Sequence, residues 1–268
     1  MSSPQQAPDP ATTAPGSTAP TAAGIYDCLL DGTHHSEADR RAAKRVMAAA
    51  PEAVAEVREN RAFMQRAVRH IARQGVRQYL DIGSGFPAAG PVHEVAAEIV
   101  TDPRVLYVDY DRNVTALGRQ MLGSSPHVAA VAHDLRRPWD IIDDPQTARL
   151  IDWSQPVAVL MVGVLHFVAD DENPADIIGI FRDRMVAGSY LVLSHACGGE
   201  APEAAEKASR AWDDSRSRLT LRDPHEVEDL LVGFDLIPPG LVTTTQWGTD
   251  RPAPTGRGVG LAAVAVVP

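Results

Sequence analysis

The sequence predicts an α/β chain, a three-layer α/β/α sandwich around a mostly parallel sheet of seven strands, with a helical extension ahead of it. Three observations carry this expectation. Short apolar runs at Tyr79 to Ile82, Val105 to Val108, Val128 to Ala132, Val157 to Val164 and Tyr190 to Ser194 alternate with helix-compatible segments, the pattern of repeated β-α units. The run from Val157 to Val164 does not alternate, as suits a central strand buried on both faces. The first three runs each carry an acid at the carboxyl end, Asp81, Asp109 and Asp134.

Residues 1–23 are rich in Pro, Ala, Ser and Thr, carry Asp9 as their one charge, and read as a disordered tail rather than a secretory leader. Structure is expected from Gly24, with 24–76 a helical extension or lid and 77–268 the main domain. Ile25 to Leu30 lead into the polar turn Asp31-Gly32-Thr33-His34-His35. Ser36 is an N-cap candidate, with Glu37 and Asp39 suited to the positive helix end. Pro51 is expected to open the next helix as its first residue. Val57, Met64, Val68 and Ile71 give that helix one apolar stripe, more consistent with core packing than with a partner site, and Gly75 stops it.

Beyond the first strand, a helix is expected from Pro91 to Val100. Asn173 before Pro174, with Asp176 beyond, marks a capped helix closed by Gly188. Asp223-Pro224 with Glu226 repeats the signature, ending at Gly233. Phe234 to Val242 and Val259 to Val267 are expected to form a terminal antiparallel pair, joined by the Gly/Pro-rich stretch 248–258.

The segment Tyr79-Leu80-Asp81-Ile82-Gly83-Ser84-Gly85 is the most informative. Two glycines let the backbone turn sharply and approach a ligand where a side chain would collide, and the following helix aims free N–H groups into the same crevice. A carboxylate at the tip of the second parallel strand, Asp109, suits a ribose diol held by two hydrogen bonds. The third tip, His133-Asp134-Leu135, suits an adenine amino group. Each acid alone also reads as a solvated loop carboxylate; three at successive strand ends point to a nucleoside-type ligand.

The chain of 268 residues is 44% hydrophobic and 22% charged, enough for one large α/β domain with additions. Its net charge is −10 and only Lys44 and Lys207 are lysines, so no basic stripe exists to neutralise a phosphate backbone and nucleic acid is not the expected partner. No apolar run reaches the roughly 18 residues of a membrane span. Cys28 and Cys197 lack metal-type spacing and are too few for a disulfide framework, which fits a reducing, cytoplasmic setting.

The chain resembles the actinobacterial family of S-adenosylmethionine-dependent methyltransferases first catalogued as a domain of unknown function, within the class I superfamily. The resemblance covers nearly everything after the tail. It rests on Gly24 to Asp27 with Leu29-Leu30, on Ala38-Asp39-Arg40, on Asn60 to Phe63, and on Leu80 to Gly85. Val92 to Val95, Tyr107-Val108-Asp109, Val164 to Val168 and Ser189 to His195 complete it. It implies a Rossmann-like fold with S-adenosyl-L-methionine as cofactor and a small-molecule acceptor. Carried over by position, Gly83, Ser84 and Gly85 line the methionine part and Asp81 lies near its amino group. Asp109 holds the ribose and Asp134 the adenine, with Tyr110, Leu135 and Gly163 completing the cofactor set. One departure stands out: the family's Gly-Gly-Lys-Asp-Asn-like turn is replaced here by Asp31 to His35.

Methyl transfer from a sulfonium is an in-line displacement that asks mainly for alignment and exclusion of water. A hydroxyl acceptor would need a base, and His166, then His195, are the candidates, each with a hydrogen-bonded structural role as the alternative. Tyr26 is a candidate lid residue, with simple packing as the alternative, and His166 is also on the substrate side. No metal is expected, because adjacent His34 and His35 point apart and lack partners at ligand spacing. Two other functions stay open. Gly83 to Ala88 formally satisfies the dinucleotide pattern of an NAD(P)-dependent oxidoreductase, although Pro87 and Asp81 suit a pyrophosphate poorly. A non-catalytic domain binding S-adenosylmethionine or S-adenosylhomocysteine is the other. The oligomeric state is not legible.

Overall fold

A computed structural model describes residues 19–198, 209–210, 212, 218–252 and 259–268. Most of the expected tail, 1–18, and most of the linker, 253–258, lie outside the described residues. Three helices come first: α1 (Ala22–Leu29), α2 (Glu37–Ala49) and α3 (Ala53–Arg73). The sheet-forming part begins with β1 (Gln78–Ile82), α4 (Val92–Ala97), β2 (Arg104–Asp109), α5 (Arg112–Leu122) and β3 (Val128–Ala132). It continues with α6 (Pro138–Ile142), α7 (Pro145–Leu150), β4 (Ala158–Val162), α8 (Pro174–Arg182) and β5 (Tyr190–Cys197). The last elements are α9 (Pro224–Asp229), β6 (Asp235–Leu236), β7 (Val242–Thr243) and β8 (Val259–Val266).

The sheet has eight strands in the order β3-β2-β1-β4-β5-β8-β6, with β7 also on β8. The first five pair in parallel and β8 runs antiparallel to β5. Strand order reverses between β1 and β4, which leaves a crevice at their carboxyl ends, the usual place for a ligand in such sheets. Both sheet faces are covered. Leu80 and Ile82 of β1 point to one face, packing in a cluster with Leu150, Ile177, Phe181 and Val227. Tyr79 points to the other, in a cluster with Phe63, Met64, Val68 and Ile71 of α3 and Val92 of α4. Phe63 and Phe181 are among the largest fully buried side chains, each contributing roughly 1.5–3 kcal/mol by leaving water. A third, smaller cluster of Ile25, Leu29, Ala42, Ala43 and Val46 holds α1 to α2. Among the described residues no helix is long and apolar enough to cross a membrane.

Several boundaries differ from the sequence expectation, each for a physical reason. The first helix starts at Ala22, ahead of Gly24, because Thr21 caps it by accepting from Gly24 N–H. Pro51 does not open the third helix; it sits in a turn and the helix begins at Ala53. The central strand stops at Val162, where Gly163 takes a positive φ of 71° and leads the chain out of the sheet. Asn173 does not cap with its side chain; its backbone is left-handed instead. That helix ends at Arg182, well before Gly188, which turns the chain into β5. The stretch from Phe234 to Val242 is not one strand: Pro238 and Pro239 have no N–H to donate, so it divides into β6 and β7 and the sheet gains an eighth strand. Both short strands lie on β8, whose other edge pairs with β5.

Ser36 is the cap that the sequence indicates. It accepts from Asp39 N–H at 3.2 Å while the Asp39 carboxylate accepts from Ser36 N–H at 2.7 Å. Asp39 also accepts from Thr21 N–H at 2.7 Å, so this cap joins the starts of α1 and α2. We expect Ser36→Ala to lower stability by about 1 kcal/mol. Denaturant melting of the pair tests this, and equal midpoints would remove the cap's role.

Candidate active site

The β1–β2 register places Asp81 across from Tyr107 and Ile82 across from Val108, so the two chains leave the sheet together. After Ile82 the backbone turns at Gly83, φ 74°, and the N–H groups of Gly83 and Ser84 both donate to Val108 O, at 2.8 and 3.1 Å. A Cβ on Gly83 would lie 2.4 Å from Val164 Cγ2, so no side chain fits there. Gly85, φ 65°, is different: a Cβ would meet nothing within 4 Å, because it faces open space. Its N–H donates to Asp109 Oδ2 at 2.9 Å, and Asp111 N–H donates to Oδ1 at 2.9 Å. Asp109 therefore ties the glycine loop to the tip of the neighbouring strand.

Asp81 and Asp109 are 7% and 5% exposed. Burial pushes the Asp81 carboxyl up to about 7, opposed by the Arg61 guanidinium and reinforced by Asp109. Burial also pushes Asp109 up to about 6, opposed by the amides of Asp111 and Gly85. Arg61 reaches the loop from α3, donating to Ala88 O, Ala89 O and Gly90 O at 3.2–3.4 Å, and Gln65 donates to the last two. One residue earlier, Asn60 accepts from Ser194 Oγ at 2.6 Å and donates to Tyr26 Oη at 3.0 Å. The Tyr26 hydroxyl in turn donates to Val57 O at 3.1 Å. This chain of bonds joins β5, α3 and α1 above Gly163, whose Cβ position lies 3.0 Å from Asn60 Nδ2.

These residues line one cavity of about 280 Å³. Asp81, Gly83, Ser84, Gly85, Asp109 and Tyr110 line one part of it, joined by Gly163, His166, His195 and Tyr26. Leu29, Val46, Met64, Phe167, Trp212 and Leu221 supply apolar wall. Asp134 and Leu135 are not among the lining residues. The Asp134 carboxylate accepts from Arg136 N–H and its guanidinium, at 2.9 and 3.1 Å, while Leu135 is buried in the core. The turn at 31–35 packs beside the glycine loop: Asp27 accepts from His34 N–H, His35 N–H and the His35 ring, and the His34 ring lies 6.0 Å from that of Phe86.

The hydrogen bonds assign both histidine tautomers. His195 Nδ1–H donates to Ala196 O and Nε2 accepts from Arg222, each at 2.8 Å, leaving neither nitrogen open. His166 Nδ1 accepts from Ala196 N–H at 3.3 Å, so its proton sits on Nε2. Burial holds His195 down at about 4 and His166 well below the ordinary histidine value, with His195 and Arg222 adding to the latter. The reading of either as a general base meets this obstacle: no free acceptor lone pair. Arg222, 4% exposed, also donates to Leu165 O, Val168 O and Asp170, fixing the turn that carries His166 and Phe167.

The sequence assigns no site role to Asn60, Arg61, Ser194 or Arg222, although the first three fall in segments that carry the family resemblance. A signal existed for the first two. The stripe on α3 skips from Val57 to Met64, and Asn60 and Arg61 occupy the missing positions on the same face. Polar residues inside an apolar stripe are either partnered or functional.

The chain matches the family model described as S-adenosyl methyltransferase over residues 10–267. It is similar to the crystal structure of a candidate methyltransferase from Thermobifida fusca YX, at 35% identity and a TM-score of 0.88, covering 93% of this chain and 96% of that one. It is also similar to a DUF574 family protein from Streptomyces avermitilis MA-4680, at 31% identity and a TM-score of 0.87, covering 93% and 98%. No curated protein matches.

The raised Asp81 carboxyl gives a pH prediction. A carboxyl whose folded value, about 7, exceeds its ordinary 3.8 stabilises the fold fully below the lower value and loses that contribution as pH rises through the higher one. Asp81→Asn removes this loss. We therefore expect the melting temperature of the variant, relative to the parent, to climb between about pH 4 and pH 7 without ligand and to level off above. A difference that stays flat across that range would contradict a buried, titrating Asp81.

Proposed function

We propose, on the premise that this chain belongs to the S-adenosyl methyltransferase family, that it moves the methyl group of S-adenosylmethionine in line to a small-molecule acceptor held in the same cavity. The chain is an S-adenosylmethionine-dependent methyltransferase and S-adenosylmethionine is its cofactor. What carries the finer reading is the gathering of Asp81, Gly83 to Gly85 and Asp109 on one cavity with Gly163 and His166. The residues fit the cofactor on two counts. Gly85 opens onto space that any side chain would fill, and two buried carboxylates suit a ligand rich in hydroxyl and ammonium donors. When bound, the cofactor supplies an activated methyl group on a sulfonium.

In this reading Asp109 accepts from the ribose hydroxyls and keeps the loop in place through Gly85 N–H, while Asp81 accepts from the ammonium end. Arg61 fixes the loop carbonyls against α3. Tyr26 and Asn60 close the cavity above Gly163 and exclude water, which is the main demand of in-line displacement. Asp134 serves here through Arg136, which also donates to Phe167 O at 3.0 Å and so steadies the cavity wall. A pyrophosphate is a poor fit beside two buried carboxylates, which weighs against a nicotinamide cofactor. The net charge of −10 supports a small-molecule acceptor over nucleic acid.

We expect Asp109→Ala to weaken S-adenosylmethionine binding by roughly 1.5–3 kcal/mol, the scale for losing charge-assisted hydrogen bonds. Calorimetry on the folded variant tests this, and unchanged affinity would remove Asp109 from the donor site. Asn60→Ala should lower turnover to S-adenosylhomocysteine more than it lowers cofactor affinity, because it opens the roof rather than the donor cradle. Equal turnover in variant and parent would separate the Tyr26–Asn60–Ser194 chain from catalysis.

A further inference from the structure

We propose that the methyl acceptor is an apolar amine methylated at nitrogen, an inference that rests on the reading above in which donor and acceptor share one cavity. Three observations on different residues converge on it. The first is shape and polarity. The wall contributed by Leu29, Val46, Met64 and Leu221 is apolar, and the Phe167 and Trp212 rings, 5.7 Å apart, offer it flat aromatic surface. An acceptor with an aromatic or aliphatic body fits such a wall.

The second is charge. Among the described residues lining the cavity, Arg61 is the one permanent cation, and its guanidinium is engaged by Ala88 O, Ala89 O and Gly90 O. Glu52, Glu56, Asp81 and Asp109 line the same cavity. A phosphate or carboxylate on the acceptor would meet acids and find no free counter-charge, whereas an ammonium would be drawn in. Glu56 is half-buried and accepts from Gly260 N–H at 3.1 Å through Oε2. Among the described residues no second hydrogen bond reaches this carboxylate, which leaves acceptor positions for a donor, since a carboxylate offers about four.

The third is the want of a histidine base. A hydroxyl must give up its proton as its oxygen is alkylated. Both nitrogens of His195 are engaged, and the acceptor nitrogen of His166 is taken by Ala196 N–H. The ammonium that the acids draw in first gives its proton to water or to the Glu56 carboxylate, a step open to an ammonium and not to a far less acidic alcohol, and the neutral amine then brings its own lone pair. That lone pair forms the N–CH3 bond while the C–S bond of the sulfonium breaks and its electrons pass to sulfur, leaving a neutral thioether. The methylated product is itself an ammonium and exchanges its proton with water on release.

The test uses the full chain and three probes with one apolar body: 2-phenylethylamine, 2-phenylethanol and 3-phenylpropanoate. With S-adenosylhomocysteine saturating, calorimetry should find the amine bound about tenfold more tightly than the alcohol, a difference of about 1.4 kcal/mol, and the carboxylate most weakly. With tritiated-methyl S-adenosylmethionine, label should pass to the amine alone. Glu56→Gln should weaken amine binding several-fold and leave alcohol and S-adenosylhomocysteine binding unchanged; if that variant does not fold, Glu52→Gln replaces it. Alcohol or carboxylate bound as tightly as the amine, label on oxygen, or no binding of any probe by a chain that binds S-adenosylhomocysteine overturns the amine assignment and leaves the donor site standing. Failure to bind S-adenosylhomocysteine instead strikes the shared-cavity reading, and this inference with it.

Discussion

Burying two carboxylates at the tips of neighbouring strands is the constraint on which this site depends. Taking a carboxylate out of water is costly unless partners replace the water, and Asp81 and Asp109 are both nearly fully buried. Asp109 is partnered by the amides of Gly85 and Asp111, and that partnership gives the glycine loop its shape. Asp81 has the Arg61 guanidinium for its favourable charge interaction, and its carboxyl stays near neutrality. An unliganded site of this kind holds stored electrostatic cost. A ligand that brings positive charge and hydroxyl donors relieves it, so binding energy and site architecture share one cause.

The helical extension follows from the same constraint. A glycine loop alone leaves the crevice at the β1–β4 reversal open to water. Helix α3 crosses it, its apolar stripe packed on the sheet and Asn60 and Arg61 turned to the cavity. Asn60 then gathers Ser194 from β5 and Tyr26 from α1, and the Ser36–Asp39 cap holds α1 against α2. On the opposite wall Arg222 makes the comparable junction, fixing the turn at 165–168 to β5 through His195. Both junctions use side chains with several donors or acceptors in fixed geometry, which favours one arrangement of the cavity over many.

Local signals in the sequence sufficed for much of this. The bounds of β3, the caps at Ser36 and Asp223, and the turn at Gly83 and Gly85 rest on residues within a few positions of one another, where propensity and hydrogen bonding decide. The division of the terminal strand at Pro238 and Pro239 is equally local, but the apolar residues around them carry a periodicity that reads as one strand. Other features were out of reach. The insertion of β8 between β5 and β6 is set by tertiary pairing, and no short window encodes it. The bond from Ser194 to Asn60 spans a sequence separation of 134, and that from Arg222 to His195 one of 27. His166 and His195 stand out by residue type, yet the tautomer of His166 depends on Ala196 and the closed Nε2 of His195 on Arg222, partners 30 and 27 residues away that only the folded chain brings to them. Asp134 matches its counterparts at the other strand tips in sequence, but in the fold Arg136, two residues on, occupies its carboxylate.

The most direct test of the central claim is a crystal structure of this chain with S-adenosylhomocysteine. The account predicts the ligand along Asp81, Gly83 to Gly85 and Asp109, under the roof formed by Tyr26 and Asn60. A ligand seated elsewhere, or one whose ribose lies out of reach of Asp109, would contradict it.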